Sequence, residues 1–332
     1  MRHAKTLKVP LTLALIMWAQ EGCGLPGPTA DPSKLEGLTR SEVAVSRASG
    51  DGYHVSVLAG GDPTMPRVIY VHGTPGDAAN WLDYLDEPVA GWEAIALDRP
   101  GFGQSGPGRS VVTLEDQARA LEPLLVKRRG VKPILVGHSL GGPIVAKAAL
   151  LYPDRVGAIV IAAGALDPAL EKVLFIQSLG NTVMLSWILP KWAKHSNEEL
   201  ISLEDELLQM QPHLGDIACP IVVIHGTDDK LVPYDNVGFM RTNFLSTPAA
   251  EFITLEEGNH FLIWNQPDRT REAITRAMEL MGADGLTTPM DSSVTDTLGE
   301  PAHSDSGASS ATGSAASRSS IEPMSSCIFS ES

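Results

Sequence analysis

Hydrophobic positions along this chain fall into short, nearly unbroken runs. Val68 to Val71, Ala94 to Leu97, Ile134 to Val136 and Ala158 to Ala162 are four of them, and Ile221 to Ile224 and Glu251 to Leu255 add two more. A strand with one wet face alternates apolar and polar residues, whereas a strand covered on both faces does not. The runs therefore predict a mostly parallel sheet with helices packed on both faces, an α/β architecture. Upstream, Glu42 to Arg47 and Tyr53 to Ala59 flank Ser49-Gly50-Asp51-Gly52 and read as a β-hairpin.

Helical patterns fall between the runs, where a parallel sheet needs crossovers. Thr113 caps a predicted helix whose first turn carries Glu115 and Asp116 and whose last turn carries Lys127, Arg128 and Arg129 before Gly130, which suits the helix dipole at both ends. Pro143 opens a second helix ending near Tyr152-Pro153, and a third runs from about Asp268 to Met281. The stretch 167–216 is far longer than the loops of about 2–6 residues and single helix of a βαβ unit. Its apolar part from Val173 to Trp192, with Phe175, Met184, Leu185 and Trp187, reads as helices forming a lid over a pocket.

The ends of the chain break this pattern. Residues 1–22 combine a basic start (Arg2, Lys5, Lys8) with an apolar stretch from Val9 to Ala19, the layout of an export signal and shorter than the roughly 20 residues of a membrane span. The expected localisation is outside the cytoplasm, with a cytoplasmic protein as the alternative. Cys23 offers a lipid-attachment site and hence a route to membrane association, although Gln20 and Glu21 stand where such a signal has an apolar and a small residue. Residues 23–38 read as a Gly- and Pro-rich linker, 39–283 as the folded domain, and 284–332 as a low-complexity tail too poor in apolar residues to offset its ordering entropy.

Composition narrows the partners. Of 332 residues, 40 are acidic and 25 basic, a net charge of -15, so nucleic acid is excluded as a partner on electrostatic grounds. The three cysteines, Cys23, Cys219 and Cys327, lie too far apart for a metal site or a disulfide framework, and Cys219 before an apolar run reads as a buried structural thiol.

The candidate chemistry centres on Gly137-His138-Ser139-Leu140-Gly141, which follows one predicted strand and precedes one predicted helix. A serine held in a sharp strand-to-helix turn needs very small residues two positions away on either side, and Gly137 and Gly141 meet that need. A serine hydroxyl needs a base to become a nucleophile, and the base needs an acid to orient it. Of nine histidines, His260 in Glu257-Gly258-Asn259-His260 follows the last predicted strand, at the carboxyl end of the sheet where such folds place their chemistry. Asp229, at the end of Gly226-Thr227-Asp228-Asp229, is the candidate acid; Asp228 and Asp167 remain alternatives. His72-Gly73-Thr74-Pro75-Gly76 can aim a backbone amide at a developing oxyanion, so Thr74 and Leu140 are the candidate donors, with His72 bracing the loop. Asp98-Arg99-Pro100-Gly101-Phe102-Gly103-Gln104-Ser105 reads as a structural turn.

These five segments, in this order, resemble the α/β-hydrolase family over roughly Thr39 to Gly282. The resemblance implies an eight-stranded sheet, a lid between strands six and seven, and no cofactor. It also implies a serine-dependent subfamily, because haloalkane dehalogenases and epoxide hydrolases of this fold attack with aspartate. The leading expectation is hydrolysis of a small-molecule ester with a small or medium acyl group. Carbon-carbon bond hydrolysis and aminopeptidase activity are alternatives; Glu198, Glu199, Glu204, Asp205 and Glu206 keep open an acidic site for a substrate amine. A non-catalytic ligand-binding protein is the alternative of a different kind.

Overall fold

A computed structural model describes residues 32–46, 52–171 and 190–282. The export-signal and Cys23 readings, most of the linker, the hairpin turn at 49–51, the apolar stretch at 173–189 and the tail lie outside the described residues.

All six apolar runs form strands, and the hairpin supplies two more. The sheet contains β1 (Thr39–Val45), β2 (Tyr53–Gly60), β3 (Arg67–Val71), β4 (Glu93–Leu97), β5 (Ile134–His138), β6 (Ala158–Ala162), β7 (Ile221–Gly226) and β8 (Ala250–Leu255), in the order β1-β2-β4-β3-β5-β6-β7-β8. β2 runs antiparallel to β1 and β4, and the remaining pairs are parallel.

Strand geometry divides each run between two cores, since successive side chains point to opposite faces. Ile69, Val71, Leu135, Ile159, Ile161 and Val223 belong to one cluster with Ile144, Val145, Leu203 and Leu207. Val68, Tyr70, Val136, Val160 and Val222 belong to the other with Trp81, Tyr84, Ile274 and Met278. The first face is covered by α2 (Leu114–Arg119) and α3 (Gly141–Leu151). The second is covered by α1 (Leu82–Asp86) and the C-terminal helix Pro267–Leu280.

β3 has β4 on one side and β5 on the other, so the direction of winding reverses there. Open α/β sheets leave a crevice at the carboxyl ends of the strands at such a point. Between β6 and β7 lies α4 (Lys191–Met210), whose Leu203, Leu207 and Met210 recur at helical spacing and pack into the first core. Among the described residues no helix is long and apolar enough to cross a membrane.

Two local expectations are corrected. The helix capped by Thr113 does form its cap, with the Thr113 side chain accepting from the Asp116 amide, but it ends at Arg119 rather than continuing to Arg129. Pro123 has no N–H to offer the Arg119 carbonyl and its ring crowds that oxygen, so a short 3-10 turn at Glu122–Leu124 replaces the second half. Arg128 joins Arg67 in an ion pair to the buried Glu93 carboxylate, each at 2.6 Å, and serves no helix terminus. The predicted linker also ends in structure: Pro32–Leu35 form a 3-10 turn, and Lys34 pairs with Asp83 at 2.5 Å. Cys219 is buried, and burial pushes its thiol up to about 12.

A side chain at Gly137 would place its Cβ 2.2 Å from the Gly141 carbonyl oxygen, whereas Gly238, on α5 (Asp235–Asn243), has open space around it. Gly137→Ala should lower the unfolding free energy by at least about 1–3 kcal/mol, the range for overpacking a filled site. Gly238→Ala should raise it by about 0.5–1 kcal/mol through helix propensity. Urea denaturation of the two variants checks both signs.

Candidate active site

β5 ends at His138 and α3 starts at Gly141, leaving a two-residue turn that holds Ser139 at φ 56°. A left-handed backbone is unfavourable for a non-glycine residue and persists only where the surroundings enforce it. Here the Ser139 amide donates to the Ala162 carbonyl at 3.0 Å and the Gly142 amide to the Ser139 carbonyl at 2.9 Å. The loop after β3 comes up against this turn, where a Cβ on Gly73 would lie 2.8 Å from the Ser139 Cβ.

The acid and base candidates meet through the loops after β7 and β8. Those loops are stitched by the Thr227 amide on the Leu255 carbonyl at 3.0 Å and the Asp228 amide on the Gly258 carbonyl at 2.9 Å. His260 Nδ1 donates to Asp229 Oδ2 at 2.8 Å, and both side chains are buried. The other carboxylate oxygen accepts from the Leu231 and Val232 amides at 2.9 and 2.8 Å. Burial opposes the charge on Asp229, but the hydrogen bonds from His225, His260 and the Val232 amide outweigh it and hold this carboxyl below its ordinary range. With Nδ1 donating, the other ring nitrogen of His260 is left free to accept a proton, and His260 lines the same cavity as Ser139.

The alternative acids are engaged elsewhere. Asp228 pairs with Lys230 at the surface. Asp167 caps the turn Pro168–Leu170 through the Ala169 amide at 2.9 Å.

Two histidines without an assigned role in the sequence reading brace this pair. His225, fully buried, places Nε2 3.0 Å from the Val232 carbonyl and 3.5 Å from Asp229 Oδ2. Both neighbours are acceptors, so Nε2 carries the hydrogen; Nδ1 is buried with no partner among the described residues. His138 donates from Nε2 to the His260 carbonyl at 2.9 Å, and its ring centre lies 4.9 Å from that of His260 with the planes tilted by 43°. Burial, then the neighbouring His260, pushes His138 down to about 3, so it stays neutral. Position within β5 and β7 signalled a packed residue for both; the partner of His138 depends on which loops meet across the sheet, and those of His225 on how the loop after β7 folds back.

Thr74 and Leu140, the candidate amide donors, both line the cavity at Ser139. His72 braces the loop of Thr74 as expected: Nδ1 donates to the Gly73 carbonyl at 2.7 Å and Nε2 accepts from the Arg99 amide at 2.9 Å. Asp98 holds its own turn by accepting from the Gln104 amide at 2.9 Å and ties it to the segment after β3 by accepting from the Ala78 amide at 2.8 Å. Arg99 does more than turn the chain. Its guanidinium is fully buried, donates to the Gly73 carbonyl at 2.9 Å and grips Glu199 of α4 at 2.7 and 3.0 Å. Gln117 adds a bond to Glu199 at 2.6 Å. One ion pair thus joins the helix beyond β6 to the loop that carries Thr74.

The described walls of the cavity add Asn80, Ala165, Glu171, Leu200, Leu203, Phe261 and Trp264. Of the acidic residues proposed for a substrate amine, Glu199 is spent on Arg99, Glu198 accepts from Ser110 and Glu206 from the Leu114 amide. Glu171, which the sequence reading passed over, faces the cavity instead.

A family model described as the alpha/beta hydrolase fold matches residues 66–194. Among solved structures, a thermophilic esterase aligns with a TM-score of 0.54 at 22% identity, covering 74% of this chain and 99% of that one. The chain is an α/β-hydrolase-fold protein. Within that fold the chain is 27% identical over 289 residues to the 2-hydroxy-6-oxononadienedioate/2-hydroxy-6-oxononatrienedioate hydrolase of Paraburkholderia phymatum, spanning 71% of this chain and 96% of that protein. It is 33% identical over 132 residues to the dihydrolipoyllysine-residue acetyltransferase component of the acetoin cleaving system of Cupriavidus necator, a local match spanning 39% of this chain and 34% of that relative.

Two substitutions test the buried polar groups of this α/β-hydrolase-fold protein. Glu199→Ala strands the Arg99 charge and should cost about 3–5 kcal/mol, read by thermal or urea unfolding. A carboxyl held below its unfolded value, near 3.9, stabilises the fold above that pH and loses its effect as pH falls through the folded value. His225→Leu removes one donor and lets the Asp229 carboxyl rise, so the acid-unfolding midpoint should move to higher pH.

Proposed function

We propose that the protein is a serine hydrolase that cleaves a carboxylic ester of a small or medium acyl group through Ser139, His260 and Asp229. The observation that carries this reading is the buried 2.8 Å hydrogen bond from His260 to Asp229 at the same cavity where Ser139 is held at positive φ. In this mechanism Ser139 Oγ attacks the ester carbonyl while His260 Nε2 takes its proton. The imidazolium that forms is stabilised through Nδ1–H by Asp229, whose carboxyl is already held in the charged form. The tetrahedral oxyanion is received by the Thr74 and Leu140 amides. Collapse expels the alcohol, protonated by His260, and a water molecule activated by the same base releases the acid. An ester is the default substrate because an alkoxide leaves with the least assistance.

A second reading, cleavage of a carbon-carbon bond beside a ketone, is favoured by the match to the Paraburkholderia phymatum dioate hydrolase, which spans nearly all of that protein. Both readings use the same serine, so the substrate distinguishes them. Ser139→Ala should lower p-nitrophenyl butyrate turnover by about 10⁴-fold or more while leaving thermal unfolding unchanged. A fluorophosphonate probe should label wild-type protein at Ser139. Folded protein that resists the probe and turns over no ester would favour a ligand-binding role, and turnover of a vinylogous diketone in preference to esters would favour the second reading.

A further inference from the structure

We infer that Glu171 sets the charge preference of the cavity and selects substrates that carry an ammonium group over neutral or anionic ones. The inference rests on the proposed hydrolase reading and adds to it the chemical class of the substrate.

Glu171 follows the 3-10 turn Pro168–Leu170, where its amide donates to the Pro168 carbonyl at 3.3 Å, and it lines the cavity that holds Ser139 and His260. It is the one carboxylate among the described lining residues, and none of them is Lys or Arg. No side-chain hydrogen bond or opposite charge reaches it from the described residues, in contrast to Glu198, Glu199 and Glu206. The charged groups that act on it are Asp167, just before its own turn, and Glu204 on α4, both acidic. The other titratable groups on the wall are His138, held neutral, and His260. Among the described residues, a positive group is what this environment lacks.

The cavity also presents aromatic rings. Phe261 and Trp264, with ring centres 5.9 Å apart and tilted by 36°, belong to the same lining. Aromatic faces attract cations through the ring quadrupole, and rings combined with a carboxylate suit a quaternary ammonium group. A dicarboxylate would instead meet Glu171 with no cationic side chain among the described lining residues to offset it. Burial, then Asp167 and Glu204, raises the Glu171 carboxyl to about 7, so the charge appears as pH rises through neutrality. A bound cation favours the ionised form and is bound more tightly by it, so the preference should be strong above pH 7 and fade below it.

The test compares choline butyrate with its neutral isostere 3,3-dimethylbutyl butyrate and with a monoester of succinate. In wild-type protein at pH 8 the cationic ester should exceed the neutral one in kcat/KM by about tenfold, the anionic one should fall below it, and the cationic preference should shrink toward unity at pH 6. Taking the ratio within each protein cancels any pH effect common to both esters and any general loss of activity. In Glu171→Gln the ratio should approach one at every pH; a wild-type ratio at or below one, or a ratio unchanged by Glu171→Gln, overturns the inference. Failure of the hydrolase reading is seen separately, as neutral-ester turnover that survives Ser139→Ala or is absent altogether. In that case calorimetric titration of benzyltrimethylammonium into Ser139→Ala protein, with and without Glu171→Gln, reads the preference as binding. About tenfold weaker binding without the carboxylate supports the inference, and equal affinities overturn it.

Discussion

The site depends on backbone meeting backbone where β7 and β8 end. A Cβ on Gly226 would lie 2.1 Å from the Gly258 carbonyl oxygen, so these two loops touch with no side chain between them. That contact lets the Asp228 amide reach the Gly258 carbonyl and sets Asp229 within hydrogen-bond range of His260. The ionised carboxyl and the tautomer of His260 both follow from that closeness. A looser crossing of the same residues would leave two buried polar groups unpaired, at a cost comparable with the stability of many folds.

Charge inside the protein is arranged on the same logic of paired burial. Arg99 is satisfied by Glu199, Gly73 and the ring of Phe102, whose centre lies 4.8 Å from the guanidinium carbon. Buried ion pairs contribute modestly to stability in total, yet losing one partner is expensive, so the pair acts as a geometric constraint. It holds α4 against the loop bearing Thr74, and with it two leucines of the cavity wall, Leu200 and Leu203. Glu171 departs from this arrangement: it lines the cavity, and no opposite charge reaches it from the described residues.

The strands were legible because burial on both faces leaves a mark that no surface segment imitates; all six runs became strands, with ends shifted by at most two residues. Ser139, Asp229, His260, Thr74 and Leu140 could be singled out because a strained turn and loops at strand ends have local signatures, and they converge on one region. The helix after Thr113 was overextended because its charge pattern suited a long helix, whereas Pro123 decides the matter through one missing hydrogen. The partners of His225, His138 and Glu199 were invisible for a different reason. The contacts of His138 and Glu199 bridge positions distant in the chain, such as Arg99 with Glu199, and only the packed fold brings them together, while the partners of His225 lie in the loop after its own strand and depend on how that loop folds back. Glu171 lies in a segment whose pattern suggested only a lid, and what sets it apart is that no counter-charge reaches it from the described residues.

The sheet order has a consequence for how the molecule comes apart. Ser139 rises from β5, flanked by β3 and β6 in the middle of the sheet, while His260 follows β8, the strand at the far edge, paired on one side alone. Most of β8 is only half-buried, whereas every residue of β5 is buried. Edges open at lower free energy than centres, so amide exchange should reach the Ala250–Leu255 strand well before the strand beneath the serine. In mild denaturant the molecule would therefore pass through a form that keeps its serine turn intact while the histidine loop has come loose.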